Sequence, residues 1–133
     1  MLELDPENAQ ANLELGDIYV RAHRFDEALP LLQKALAHDT HHSLLIHADL
    51  GKSYAGMGEV DRAVAELTQA TPLDTSGEIH YQLYRLYQTQ GQPGLAQEAL
   101  TESERLRRQD AQDRQRRLAR ATELGKSGQP SKH

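Results

Sequence analysis

Cysteine and tryptophan are missing from the 133 residues, phenylalanine occurs once, and aromatic residues amount to 5%. Without cysteine there is no disulfide framework, no thiolate nucleophile and no sulfur-ligated zinc site. So few large rings give a lean core, better suited to helices that touch only their neighbours than to a globule wrapped around a centre. No run of about 20 apolar residues occurs, so no membrane-spanning helix is expected. The start, Met1-Leu2-Glu3-Leu4-Asp5-Pro6, has no basic stretch leading into an apolar core, which leaves no visible export signal. The chain reads as soluble, with its compartment open and the cytoplasm the simpler expectation. Valine, isoleucine and threonine are scattered and nothing alternates over a strand length, so no sheet is expected.

Catalytic signatures are missing too. Gly56-Met57-Gly58 lacks the third glycine and the preceding strand of a phosphate cradle, and there is no Gly-x-Ser-x-Gly elbow. The carboxylates fall on helix surfaces beside bases, a pattern of solvation rather than proton transfer. Neither enzymatic activity nor a cofactor is expected.

The net charge of −5 conceals two materials. Residues 1–100 hold six Lys and Arg against fifteen Asp and Glu, whereas residues 101–133 hold nine against five. A basic tail on an acidic body can point to nucleic acid. Glu102, Glu104, Asp110 and Asp113 interrupt it, so nucleic-acid binding is not expected.

What is present is a block that recurs three times: Leu15-Gly16-x-x-Tyr19, Leu50-Gly51-x-x-Tyr54 and Leu83-Tyr84-x-x-Tyr87, at offsets of 35 and 33 residues. Each is followed at constant spacing by Ala28, Ala63 and Ala96, then by Leu32, Leu67 and Leu100. A period near 34 marks a helix pair that cannot bury its own apolar face, so stacking supplies the core. Leu13, Leu15, Ile18 and Tyr19 read as a first helix started by Asp5-Pro6, and Phe25 to Leu36 as a second, with Pro30 early enough to be tolerated. Leu45 to Tyr54 and Val60 to Ala70 form the next pair, closed by Pro72. Thr75-Ser76-Gly77-Glu78 has the form of a capping box opening a helix from Ile79 to Gln90. A sixth helix begins near Pro93. Leu95, Ala96, Ala99, Leu100, Ser103 and Leu106 give it a packing stripe, but between Arg107 and Arg117 only Ala111 is apolar. Acid-before-base pairs such as Asp110 with Arg114 support a solvated helix there.

These residues resemble the tetratricopeptide repeat family, over residues 9 to about 106. The resemblance implies an all-α, right-handed α-α superhelix of three helical hairpins with an extended C-terminal helix. The expected divisions are 1–8, the end of a preceding repeat; three repeats at 9–43, 44–76 and 77–106; a projecting charged helix at 107–124; and a disordered tail at 125–133. Gly16 and Gly51 stand where helices must approach, with Ala28, Ala63 and Ala96 as small counterparts. The departures are Asn12, His47 and His80 at the large first position, and Tyr84 at the third glycine position, which should space the third interface differently. Leu4-Asp5-Pro6 aligns with the ends of later repeats, so the segment is expected to be the C-terminal piece of a longer array.

Such arrays generally bind a peptide or partner helix in a concave groove lined by the first helix of each pair. Carried over by position, the groove would take Gln10, Leu13, Asp17, Val20 and Arg21; Leu45, Ala48, Lys52 and Ala55; and Glu78, Tyr81, Arg85, Gln88 and Thr89. Arg21, Lys52 and Arg85 could form a basic stripe for an acidic peptide or a C-terminal carboxylate. The family's carboxylate clamp is not carried, since its positions hold Leu13, Asp17, Asp49, Glu78 and Gln82. His38, His41, His42 and His47 gather near one turn, but the spacing favours a chance cluster over a metal site, with His47 and His80 packing between helices on one bonded nitrogen. The expected function is a protein-interaction scaffold or adaptor. The alternatives are a capping or self-associating module, joined through the N-terminal edge or the C-terminal helix, and a regulatory appendage of an upstream enzyme.

Overall fold

The computed structural model describes residues 8–38 and 41–127. Six α-helices follow in order: α1 (Ala9–Arg21), α2 (Phe25–His38), α3 (Ser43–Gly56), α4 (Val60–Ala70), α5 (Glu78–Thr89) and α6 (Pro93–Ser127), with a short 3-10 turn at Thr71–Leu73 after α4. No strand occurs among the described residues. α1 packs on α2, α3 on α4 and α5 on α6, and successive pairs meet through α2 with α3 and α4 with α5.

Within each pair the chain reverses in the same way. The amides of Arg24, Glu59 and Gln92 donate to the carbonyls of Tyr19, Tyr54 and Tyr87 at 2.8, 2.9 and 2.9 Å. These are the tyrosines of the three blocks, so the sequence period is also a period of backbone hydrogen bonds. The residue before each amide takes a left-handed conformation: His23 at φ 59°, Gly58 at 79° and Gly91 at 70°. Glycine adopts it freely; His23 does so at some conformational cost.

The core is continuous along the stack. Leu13, Leu32, Ile46, Leu50 and Tyr54 form a cluster across the first two pairs, and Leu67, Ala70, Ile79, Leu83 and Ala99 form a second across the last two. The small residues expected as counterparts of the glycines, Ala28, Ala63 and Ala96, are buried, and the atoms nearest to Gly16 and Gly51 belong to leucines. A Cβ on Gly16 would lie 2.8 Å from Leu32 Cδ2, and one on Gly51 would lie 2.6 Å from Leu67 Cδ2. Each glycine makes room for the leucine one turn beyond the alanine. Both leucines are 0% exposed. Where Tyr84 replaces glycine, Leu100 is only half-buried and a cleft of about 410 Å³ opens beside Tyr84, Pro93, Ala96 and Leu100. A ring cannot occupy a glycine's place, and Leu100 is correspondingly less covered than Leu32 and Leu67.

Three local expectations are corrected. Asp5-Pro6 lies outside the described residues, and Asn8 caps α1, its side chain accepting from Ala11 N at 3.0 Å. The capping box at Thr75–Glu78 does not form, because Gly77, at φ 88°, occupies the cap position without a side chain. Asp74 does the capping instead. Its carboxylate accepts from Gly77 N at 2.8 Å and His80 N at 3.0 Å, and Oδ2 meets His80 Nδ1 at 2.7 Å. Burial presses the Asp74 pKa upward, but the His80 amide and ring and the Gly77 amide together hold it below the usual carboxylate value. Its stabilising effect is therefore complete above the ordinary pKa of 3.8 and disappears as pH falls through its lower folded value. Asp74→Ala should cost about 1 to 2 kcal/mol at neutral pH, the cap plus the stranded amides. A denaturant titration would show this loss shrinking under acid conditions.

The third correction concerns α6, which continues to Ser127, beyond the expected end at Leu124; residues 128–133 of the expected tail lie outside the described residues. At 35 residues α6 is about 52 Å long. Its outer half is held by local ion pairs, Asp110 with Arg114 at 3.3 Å and Asp113 with Arg116 at 3.4 Å.

Candidate functional site

A cleft of about 660 Å³ lies between α3 and α5. Lys52, Ala55 and Gly56 line it from α3; Gln82, Arg85, Leu86, Gln88 and Thr89 line it from α5. No acidic residue lines it. Neither Lys52 nor Arg85 makes a salt bridge among the described residues. Of the residues expected in the groove, Lys52, Ala55, Arg85, Gln88 and Thr89 are thus brought together. Gln82, named above only as a clamp position, and Leu86 and Gly56, given no groove position by the repeat pattern, also line the cleft.

The remaining expected residues have other surroundings. Leu13 is 5% exposed and belongs to the core, as do Val20 and Ala48; this corrects their assignment to a binding surface, because this side of the helices also packs against the next helix. Arg21 is exposed but holds Asp17 at 3.1 Å. Gln10 bonds Glu14 at 2.8 Å and Gln82 bonds Glu78 at 3.4 Å. Leu45 is exposed on α3. Tyr81 is 40% exposed and tilts against Tyr84 with ring centroids 5.7 Å apart.

Beside the cleft, toward α1, stands a buried acid. Asp49 is 2% exposed and its Oδ2 has no hydrogen-bond partner. Its carboxyl is pushed up to about 7, first by burial, then by the charge of Asp17 and a hydrogen bond with it, against the opposing pull of Lys52 and Arg21. The Asp49 carboxyl thus faces the charge of Asp17, across from it on α1, while shielded from water. The signal was in the sequence: Asp49 stands three residues after Ile46 and one before Leu50, on an inward stripe.

Among the described residues no three His, Asp or Glu side chains come together as metal ligands. His47 Nδ1 lies 2.5 Å from Glu66 Oε2, across α3 and α4, just as His80 is held by Asp74. No described helix is long and apolar enough to cross a membrane.

Comparison with other proteins was made on sequence and on structure. No curated protein matches the chain in sequence. The chain superposes on a crystal structure of MamA at a TM-score of 0.69 and 27% identity, covering 77% of this chain and 60% of that one. It superposes on MamA from Desulfovibrio magneticus RS-1 at 0.69 and 21%, covering 78% and 59%. A third match is PcrH in complex with the chaperone binding region of PopB, at 0.66 and 16%, covering 80% and 86%. The chain thus spans about 60% of the length of the MamA structures. Residues 19–82 match the family model described as tetratricopeptide repeat. That stretch joins the first block to the third, and the same reversal and packing continue in phase on both sides of it: residues 19–82 are tetratricopeptide repeat in sequence, and the described chain shares the helical-repeat fold.

Proposed function

We propose that the chain is a protein-interaction module whose α3–α5 cleft holds an extended acidic peptide or a free C-terminal carboxylate. The observation that carries this reading is the cleft's charge: two cations, Lys52 and Arg85, with no acid in the lining, on a body that is otherwise acidic. Gln82, Gln88 and Thr89 offer neutral hydrogen-bonding groups between them, and Leu86 and Ala55 offer apolar floor. A cleft already formed by packed helices binds without a large ordering cost. PcrH, which shares the fold, is a complex with a segment of another protein, and this supports a peptide-holding role for this architecture. Scaffolds of this class generally do no chemistry, and none is assigned here.

Fluorescence anisotropy with a labelled glutamate-rich peptide tests the reading. Joint Lys52→Glu and Arg85→Glu substitution should weaken binding roughly tenfold or more, since each charge-assisted contact contributes about 1.5 to 3 kcal/mol. Unchanged affinity would remove the cleft as the site. A structural role, capping a longer array, would instead show as stable association without any peptide partner.

A further inference from the structure

We propose that the projecting half of α6 is a self-pairing surface, on which a second copy of this chain docks antiparallel. The basis is a self-complementary order of residues on one helix face. Leu106, Asp110, Asp113, Arg117, Arg120 and Leu124 follow one another at intervals of four, three, four, three and four, the spacing of a coiled-coil seam. α6 carries all six in one uninterrupted helix. Leucines close both ends, Leu106 half-buried at the end of the packing stripe and Leu124 exposed, with two half-buried acids toward the N-terminal end and two exposed bases toward the C-terminal end.

A two-fold axis near Gln115 brings Leu106 opposite Leu124 of the second copy, Asp110 opposite Arg120, and Asp113 opposite Arg117. Every layer joins one seam position of the a type with one of the d type, which is how antiparallel helices layer. A parallel arrangement would set Asp110 on Asp110 and Arg117 on Arg117. The charge order therefore selects the direction as well as the partner, and the resulting interface is isologous.

The surroundings fit a second copy better than the chain's own body. α5 has 12 residues, about 18 Å, and can cover only the first part of an α6 near 52 Å long. Arg117 and Arg120 make no salt bridge among the described residues, so their charges are available. Leu124 is 66% exposed. Arg114 and Arg116 flank the seam and would meet their own copies at the axis, but Asp110 and Asp113 already hold them at 3.3 and 3.4 Å. Leu118 is 69% exposed yet lies about 100° round the helix from Arg117, outside the seam. With two leucine layers and four ion pairs partly open to water, the association is weak and sensitive to salt. It does not depend on the cleft.

Sedimentation equilibrium of the intact chain from micromolar to millimolar concentration tests the pairing. A dimer that weakens at high salt is expected. Arg117→Asp with Arg120→Asp should leave the chain monomeric at concentrations roughly tenfold above the wild-type midpoint, and Asp110→Arg with Asp113→Arg should do the same. Mixed together, these two variants should form a one-to-one heterodimer in native mass spectrometry, and all four exchanges in one chain should restore the homodimer. Leu118→Glu should change nothing. A wild type monomeric throughout, a dimer that survives either double variant, a mixture that stays apart, or a dimer lost with Leu118→Glu would each overturn the proposal. Circular dichroism of each variant separates lost pairing from a lost helix.

Discussion

Gly77→Ala is expected to destabilise the third helix pair by roughly 2 to 4 kcal/mol and to lower its melting temperature by about 10 °C. Two causes add. Gly77 sits at φ 88°, where a Cβ alone costs about 1 kcal/mol or more. The Cβ would also be driven into the backbone carbonyl of Ser103 on α6, far inside van der Waals contact. That carbonyl belongs to a helix and cannot swing away as a side-chain tip could. The same joint is tied by Ser103 Oγ, which is fully buried and donates to Gly77 O at 2.7 Å. Pushing Gly77 away from α6 therefore breaks a buried hydrogen bond as well. Gly58→Ala is the control: its φ is 79° but nothing lies within 4 Å of the added Cβ, so it should show only the conformational cost. Because each pair in such a stack is held mainly by its neighbours, hydrogen exchange should accelerate in α5 and the first half of α6 and change little in α1 and α2. Equal losses for both substitutions would contradict the assigned role of the Ser103 contact.

Asp49→Asn should remove a fall in stability that the natural chain shows between about pH 4 and pH 7. The Asp49 carboxyl ordinarily titrates at 3.8 and is raised to about 7 in the folded chain. The folded state thus holds the proton more tightly than the unfolded one, so this contribution is complete below 3.8 and is lost as pH rises through 7. At about 1.4 kcal/mol for each pH unit, the loss is on the order of 2 to 4 kcal/mol. The charges that face Asp49 are Asp17 and Arg21 from α1 and Lys52 from its own helix. An asparagine amide can donate to Asp17 whatever the pH, so the variant should be the more stable chain at pH 8 and lose its advantage near pH 4. Urea midpoints of both chains across this range decide it. A wild-type midpoint that stays level from pH 4 to 7 would mean that the carboxyl is not held protonated by the fold. Asp74 acts in the opposite sense and at lower pH, so the two effects separate along the pH axis.

The repeat was legible because its physical cause is local and periodic. The three tyrosines whose carbonyls close the reversals, and the leucines that lie over Gly16 and Gly51, recur at fixed offsets, and any sequence that keeps the offsets keeps the packing. What was not legible depends on single residues in three dimensions. The cap of α5 could not be read from Thr75–Glu78, since Asp74 reaches its amides only once Gly77 has turned left-handed. His23 gave no sign of the conformation that Gly58 and Gly91 announce. In the cleft, Lys52, Arg85, Gln88 and Thr89 follow from position along their helices, whereas Leu86 and Gly56 join the lining without a groove position in the repeat pattern. Leu13 and Val20 were misplaced because helical spacing alone does not separate a surface facing a partner from one facing the next helix.

The central claim, that the α3–α5 cleft is where this chain meets a partner, is tested most directly by amide chemical shifts. Isotope-labelled protein would be titrated with an extended glutamate-rich peptide ending in a free carboxylate. The account predicts shifts concentrated at Lys52, Ala55, Gly56, Gln82, Arg85, Gln88 and Thr89, and their disappearance when Lys52 and Arg85 are both changed to glutamate. Shifts concentrated on α2, α4 or the outer half of α6, or a pattern indifferent to the two substitutions, would contradict it.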